Sequence, residues 1–427
     1  MPKPKIKLDL VAPPFAGHLF PLLDLGWFLQ DSGVARVRVL STRKAQQAIH
    51  LSGLEGLTLL SDKEAQIAAI ADPPYQVKNN PRFLVRQLGG NLALMGEFRK
   101  ELLDVWRQDK PDLVLADFTL PVAGLLAQEL GIRWWTSLPT PCALESHTGT
   151  PTYLGGWKPG DTLFHTLRDT LGRNLIRNFK RLVAWRYRKV LLKLNLSRLY
   201  RANGEEAIYS PTKILALGIQ EFEFEQDWPA ALQFVGPITA SPPFEHIPPQ
   251  FELGKKHILV SLGTHIPWAK EKAADFTKAL SEHLPEFNFH FSYGQSSQLH
   301  YKQIKNVCFY SYIPYHYLQH YDVAIIHGGA GITYSCMKAG VPMLVWPHDY
   351  DQFDHGARVV MHGLGFRING QLRHTVELLQ RLLVDPTIQK QIRSFKERLE
   401  TYNAHRSVLQ ELEQTFKLSS KQAFDPK

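Results

Sequence analysis

The sequence predicts an α/β protein made of two parallel-sheet halves. Short apolar runs alternate with amphipathic helical stretches from end to end. A proline-rich break interrupts the pattern near the middle, and the strand series restarts after it. The length of 427 residues agrees, because domains average about 150 residues.

In the first half, residues 6–12 read as a strand and 22–30 as a helix. Residues 37–41 are strand-like again. A buried-strand pattern covers 112–116, and a helical stretch runs from 122 to 130 before Gly131. In the second half, HILVSLGT reads as a strand ending in a Gly-containing loop, from His257 to Thr264. FNFHFSYG, VCFYSYIP, VAIIHGG and VPMLVWP are further strands, with a helix centred on Met337 between the last two. Between the halves, Phe234 to Lys256 carries five prolines and few periodic apolar positions, which marks a linker. The domains expected are 1–235, a linker at 236–256, 257–405, and a closing helix and tail at 406–427.

Composition excludes several classes. Apolar residues at 44% and charged residues at 21% are ordinary for a globular chain, not a disordered or collagen-like one. No stretch has the length of a membrane span, and MPKPKIKLDLVAPPF lacks the apolar core of a signal peptide. Three scattered cysteines form neither a disulfide framework nor a metal knuckle. A cytoplasmic location is the expectation.

The net charge is +9, and its location is uneven. From Lys158 to Arg201 there are twelve Lys or Arg against two Asp, interleaved with Leu, Ile, Phe, Trp and Tyr. Read as a helix, this segment is basic and amphipathic. It suits peripheral contact with an anionic membrane face. The plainer alternative is a surface helix whose cationic stems cover apolar neighbours. No nucleic-acid module accompanies the patch, so nucleic acid is not an expected partner.

Four local patterns carry chemistry. Ile325–Ile326–His327–Gly328–Gly329–Ala330–Gly331–Ile332 runs from an apolar strand through a Gly-rich turn into a helix. Glycines admit an anion close to the backbone, and the helix N-terminus supplies free N–H groups, so this is a diphosphate site in outline. It is neither a dinucleotide fingerprint nor a Walker A loop. Asp351 and Gln352 follow the VPMLVW strand, and a carboxylate beside a carboxamide suits neighbouring sugar hydroxyls. His18, in PPFAGHLFP after the first strand, sits where ligands collect and is a candidate general base. Asp117 ends another strand at the same mouth and can orient a histidine. Each has a bland alternative, namely a structural histidine, a capping carboxylate or a polar loop. His316 and His320 are one helical turn apart, but no third ligand stands near, so no metal is expected. Glu221, Glu223 and Glu225 alternate with Phe222 and Phe224, which reads as the solvated face of an extended segment.

Together these pieces resemble the GT-B nucleotide-sugar glycosyltransferases of the large inverting family that includes plant and macrolide enzymes. The resemblance covers nearly the whole chain. It is most specific from Tyr312 to Arg358, and PPFAGHLFPLLDLG, FVGPI and VSLGT support it. It implies two Rossmann-like domains facing across a cleft, with the acceptor held by the N-terminal one and the donor by the C-terminal one. The last helix would cross back to the first domain. By matched motif, His18 would be the base and Asp117 its partner. Thr264, His327, Gly329, Ala330, Gly331 and Ile332 would hold the diphosphate. Tyr312 would stack on the nucleobase, the Ile313 backbone would read its edge, and Asp351 and Gln352 would bind the sugar.

The resemblance also implies that no cofactor or metal is needed beyond a dTDP- or UDP-sugar. Many members place Glu where this chain has Ser335, at the ribose, and Gln where it has Tyr315. Loss of the Glu resembles dTDP-sugar enzymes, yet Ser335 still offers a hydroxyl, so both nucleotides stay open. The basic segment in the acceptor half suggests a lipophilic acceptor such as a hydroxy-fatty-acid lipid, carotenoid or polyketide. The rival readings are a GT-B epimerase or hydrolase and a non-catalytic sugar-nucleotide-binding module.

Overall fold

The computed structural model describes residues 5–78, 80–225 and 227–417. Two seven-stranded sheets carry the fold. The first contains β1 (Ile6–Val11), β2 (Ala35–Ser41), β3 (Glu55–Thr58), β4 (Leu113–Asp117), β5 (Arg133–Leu138), β6 (Ile214–Ala216) and β7 (Leu232–Phe234). Its order is β3-β2-β1-β4-β5-β6-β7, parallel throughout. Its helices are α1 (Ala16–Asp31), α2 (Gln46–Leu51), α3 (Glu64–Ala71), α4 (Pro81–Gln108), α5 (Pro121–Glu129), α6 (Leu163–Arg186) and α7 (Arg188–Lys193).

The second sheet contains β8 (Lys256–Ser261), β9 (Phe287–Ser292), β10 (Tyr301–Ile304), β11 (Val307–Tyr310), β12 (Val323–Ile326), β13 (Met343–Val345) and β14 (Gly365–Arg367). Its order is β10-β11-β9-β8-β12-β13-β14, and only the edge strand β10 is antiparallel. The helices are α8 (Pro267–His283), α9 (Ala330–Ala339), α10 (Gln352–Met361), α11 (Leu372–Val384), α12 (Pro386–Glu400) and α13 (Ala404–Thr415). Parallel strands covered by helices on both faces must be apolar along their length. LVLA in β4 and VAII in β12 are, and every one of those residues is buried.

The last helix leaves the second domain. Ala404, Val408 and Leu412 of α13 join the core formed by α1, β1 and β2. His405 Nε2 lies 2.8 Å from Asp24, and Lys213 pairs with Glu411 at 2.9 Å. The tail from 418 onward lies outside the described residues. Among the described residues no helix is long and apolar enough to cross a membrane.

Two expectations need correction, and one helix is new. The basic segment is two helices, α6 and α7, which meet at Tyr187. Glu223 and Glu225 are not solvated. Both are buried and grip Arg358 of α10, with Nε 2.8 Å from Glu223 and Nη2 2.7 Å from Glu225. Their alternation along an extended segment serves an ion cluster between the domains. The 28-residue α4 was not anticipated. Asn80 caps its N-terminus, and Leu94, Phe98, Leu102 and Trp106 form its buried stripe at a spacing of one turn.

Candidate functional site

In open α/β sheets, ligands collect at the carboxyl ends of strands where the strand order reverses. In the first sheet that point lies between β1 and β4, and in the second between β8 and β12. The loops after these strands, with the one after β13, line a single cleft of about 450 Å³ between the domains.

His18 lies in the first turn of α1, on the N-terminal wall. Its Nδ1 is 2.9 and 3.1 Å from the two carboxylate oxygens of Asp117. Ionised carboxylate only accepts, so Nδ1 carries the hydrogen and Nε2 keeps its lone pair. Asp117 closes β4 and has no exposed surface. Its Oδ1 also accepts from the Thr119 N–H at 2.9 Å and the Thr119 hydroxyl at 2.6 Å, which fixes the carboxylate's orientation. Phe118 stacks on the imidazole with centroids 5.7 Å apart. Burial opposes a charge on His18. The Asp117 charge and hydrogen bond, with the nearby charge of Asp351, outweigh it and hold the His18 pKa above its ordinary value.

The C-terminal wall is the turn after β12 and the start of α9. Thr333 N–H is the first to bond back, to Gly329 O at 3.1 Å. The N–H groups of Ala330, Gly331 and Ile332 precede it and remain as the donors of a free helix N-terminus on the cleft wall. No Lys or Arg is among the described residues that line this cleft, so the attraction for an anion falls to that helix end.

His327 and Thr264 complete this wall. A Cβ on Gly329 would stand 2.4 Å from His327 Nε2, and one on Gly263 2.6 Å from its Cε1, so two glycines make room for the ring. Burial, reinforced by the nearby His348, pushes the His327 pKa down to about 3. His327 therefore offers a neutral hydrogen bond, not a charge.

Tyr312 lines the cleft beside Tyr315. Ile313 does not line it, and its N–H already donates to Ser292 Oγ at 3.2 Å, so that group is not free to read a base edge. Ser335 does not reach the cleft either. Its hydroxyl donates to Gly331 O at 2.7 Å, on the same face of α9 but one turn further from the N-terminus that forms the wall.

Asp351 and Gln352 both line the cleft. Asp351 Oδ2 accepts from Thr140 Oγ1 at 2.8 Å, which ties the two walls together. Gln352 Oε1 accepts from the His348 and Asp349 N–H groups at 2.9 and 3.1 Å. Those two donors fix the amide's orientation and leave Nε2 for a ligand. Tyr350, next to Asp351, has φ +55°, a left-handed conformation that bulky residues rarely adopt. Its hydroxyl accepts from Gln87 of α4 at 2.7 Å across the domain boundary. Asp72 and His265 form a second bridge at 2.9 Å. Sequence patterns carry no signal for these cross-domain partners.

A second cavity, of about 370 Å³, lies between α4, α5, α6 and α7. Leu84, Leu92, Val122, Val183 and Leu191 give it an apolar lining, and Phe118 reaches it from beside His18. Asn91, Met95 and Thr119 line both cavities, so the apolar space adjoins the cleft next to the His18–Asp117 pair.

Comparison with known proteins agrees with this fold. Residues 289–413 match the C-terminal domain of the erythromycin biosynthesis protein CIII-like family. Zeaxanthin glucosyltransferase of Pseudescherichia vulneris is 21% identical over 420 residues, covering 91% of this chain and 93% of its own. The solved structure of the kitacinnamycin glycotransferase superposes with a TM-score of 0.73 at 19% identity, covering 96% of this chain and 99% of that one. That of the Streptomyces sp. SF2575 glycosyltransferase SsfS6 in complex with thymidine diphosphate gives 0.65 at 18% identity, covering 96% and 99%. The chain is a glycosyltransferase of GT-B fold. These relatives and structures are glycosyltransferases, and one of the structures holds thymidine diphosphate.

Proposed function

We propose that this glycosyltransferase moves a sugar, with inversion, from a dTDP- or UDP-sugar to a hydroxyl of a lipophilic acceptor. The observation that carries the reading is the His18–Asp117 pair facing the open N-terminus of α9 across one cleft. The cleft would hold the acceptor oxygen opposite the leaving diphosphate, so proximity supplies part of the rate. The acceptor oxygen attacks the anomeric carbon as the bond from that carbon to the diphosphate oxygen breaks. The electron pair leaves with the diphosphate. The acceptor proton passes to Nε2 of His18, and Asp117 stabilises the imidazolium through Nδ1–H. One displacement inverts the anomeric centre.

The N–H groups of Ala330, Gly331 and Ile332, with Thr264 and the neutral His327, would meet the negative charge that grows on the diphosphate. Bound diphosphate would in turn raise the His327 pKa, because an adjacent anion favours the charged ring. This assignment calls for no metal, and activity unchanged by EDTA is the expected result. Tyr312 remains the residue to stack on the nucleobase. Asp351 and the Gln352 amide remain those for the sugar hydroxyls, with the Thr140–Asp351 bond giving way to donor. Thymidine diphosphate in a structural neighbour supports a dTDP donor, and Ser335 no longer argues either way.

The apolar cavity beside His18 supports a lipophilic acceptor, whose source would be a membrane face. A thermal-shift comparison of dTDP, UDP, GDP and ADP tests the donor side. A ligand at a hundredfold excess over its Kd stabilises the folded state by about 2.7 kcal/mol. Selective stabilisation by dTDP or UDP is expected, and equal, absent shifts with all four would overturn the reading.

A further inference from the structure

The helix α6 has two apolar faces, and only one is covered. Its inner face, with Phe179 and Val183, roofs the cavity that adjoins His18. Its outer face presents Phe164, Leu167, Leu171, Leu175, Leu182 and Trp185, each between 55% and 70% exposed. These positions repeat at three, four, four, seven and three residues, one stripe along about 32 Å of helix, broken by Asn178. Leu192 of α7, 59% exposed, extends the stripe. A soluble monomer rarely leaves so long an apolar row in water.

Charge identifies what covers it. Arg181, Arg186, Arg188, Lys189, Lys193 and Arg198 are exposed around the Leu182–Leu192 end. None has a carboxylate partner among the ion pairs of the described residues, although Arg177 and Lys180 on the inner side do. A second copy of the chain docked face to face would set those cations against their equivalents. An anionic lipid surface neutralises them while its acyl boundary takes the leucines and the indole.

We propose that the outer face of α6 and α7 docks the enzyme on an anionic membrane, and that the lipophilic acceptor enters the apolar cavity from that side. Leu88 of α4 lines the cavity and is 39% exposed, so the cavity reaches the surface beside α7. Tyr187, where α6 meets α7, donates to Val85 O at 3.3 Å and braces the same opening. An acceptor leaving the bilayer there meets Phe118 and Thr119 next to His18 without crossing water. The entry route rests on the glycosyl-transfer reading, whereas the docking does not.

The test is sedimentation of the full chain with phosphatidylcholine vesicles and with vesicles carrying one-quarter phosphatidylglycerol, at low and high salt, without donor. The chain is expected to pellet with the anionic vesicles only, and to be released by salt. Lys189→Glu with Lys193→Glu is expected to weaken binding at least about tenfold, since each surface cation adds a substantial increment to anionic-lipid affinity. Leu182→Ser with Trp185→Ser should weaken it similarly. All four positions are exposed, so unchanged thermal melts are expected to show intact folding. Absence of pelleting at low salt, or pelleting indifferent to both variants, would overturn the proposal. So would a dimer by sedimentation equilibrium that Leu182→Ser with Trp185→Ser dissolves. Each of those results would leave nucleotide binding untouched, so failure of the docking and failure of the transfer reading are separable.

Discussion

Asp117→Asn isolates the work proposed for the His18–Asp117 pair. The Asp117 side chain is fully buried, and its Oδ1 accepts two hydrogen bonds from Thr119. An asparagine must keep its oxygen toward those donors, which turns its NH₂ toward His18 Nδ1. That nitrogen then has to accept, and the ring hydrogen moves to Nε2. The lone pair is lost from the atom that faces the cleft. Loss of general-base catalysis costs about 10²–10⁴ in rate. At 1.36 kcal/mol per tenfold, that is about 3–5 kcal/mol of transition-state stabilisation.

The assay is nucleotide release with saturating donor and an apolar alcohol, with kcat/KM followed against pH. In the parent enzyme activity should fall as pH drops through the His18 pKa, which Asp117 holds above its ordinary value. A histidine pKa raised in the folded state also stabilises the fold. That stabilisation is complete below the unfolded value, about 6.5, and is lost as pH rises through the folded one. The variant should therefore lose more stability at pH 5.5 than at pH 9. A kcat/KM within threefold of the parent, with the acid limb unmoved, would refute the assignment of the pair.

Other perturbations probe the remaining parts. Arg358→Met leaves Glu223 and Glu225 buried without their cation, and a broken buried ion cluster costs about 3–5 kcal/mol, readable as a lower melting temperature. Gly329→Ala keeps an ordinary backbone, yet its Cβ would meet His327 Nε2 at 2.4 Å, so the ring must shift. The expected result is a rise of tenfold or more in donor KM or nucleotide Kd with little change in acceptor KM, by titration calorimetry and kinetics. Met95→Trp fills the junction between cleft and apolar cavity. It should abolish transfer to long-chain alcohols while short ones still react, and equal losses for both would count against the cavity as acceptor site.

The sequence made some of this architecture readable because certain signals are local. Asp117 closes one apolar strand and His18 follows another at the start of α1, and the rule that ligands gather at such ends brings them together although 99 residues separate them. The turn 327–331 announces itself by its glycines. What stayed hidden depends on distant partners. The carboxylates at 223 and 225 looked solvated because the arginine they grip lies more than a hundred positions away. Ser335 matches a motif position, but only the first turn of α9, Ala330 to Ile332, lines the cleft, and Ser335 lies one turn further in. Helix α4 escaped notice because Gly89, Gly90 and Gly96 lower its propensity, while packing of four large residues at one-turn spacing overrides that. Tyr350 in a left-handed conformation runs against its own preference and is held by the cross-domain bond to Gln87.

The central claim is that base and diphosphate site act on opposite sides of one anomeric carbon. Its most direct test is the anomeric configuration of the product from dTDP- and UDP-α-D-glucose with an apolar alcohol, read by proton NMR. The account predicts a single β-linked product whose formation depends on His18. An α-linked product, or free glucose released equally fast with and without the alcohol, would contradict it.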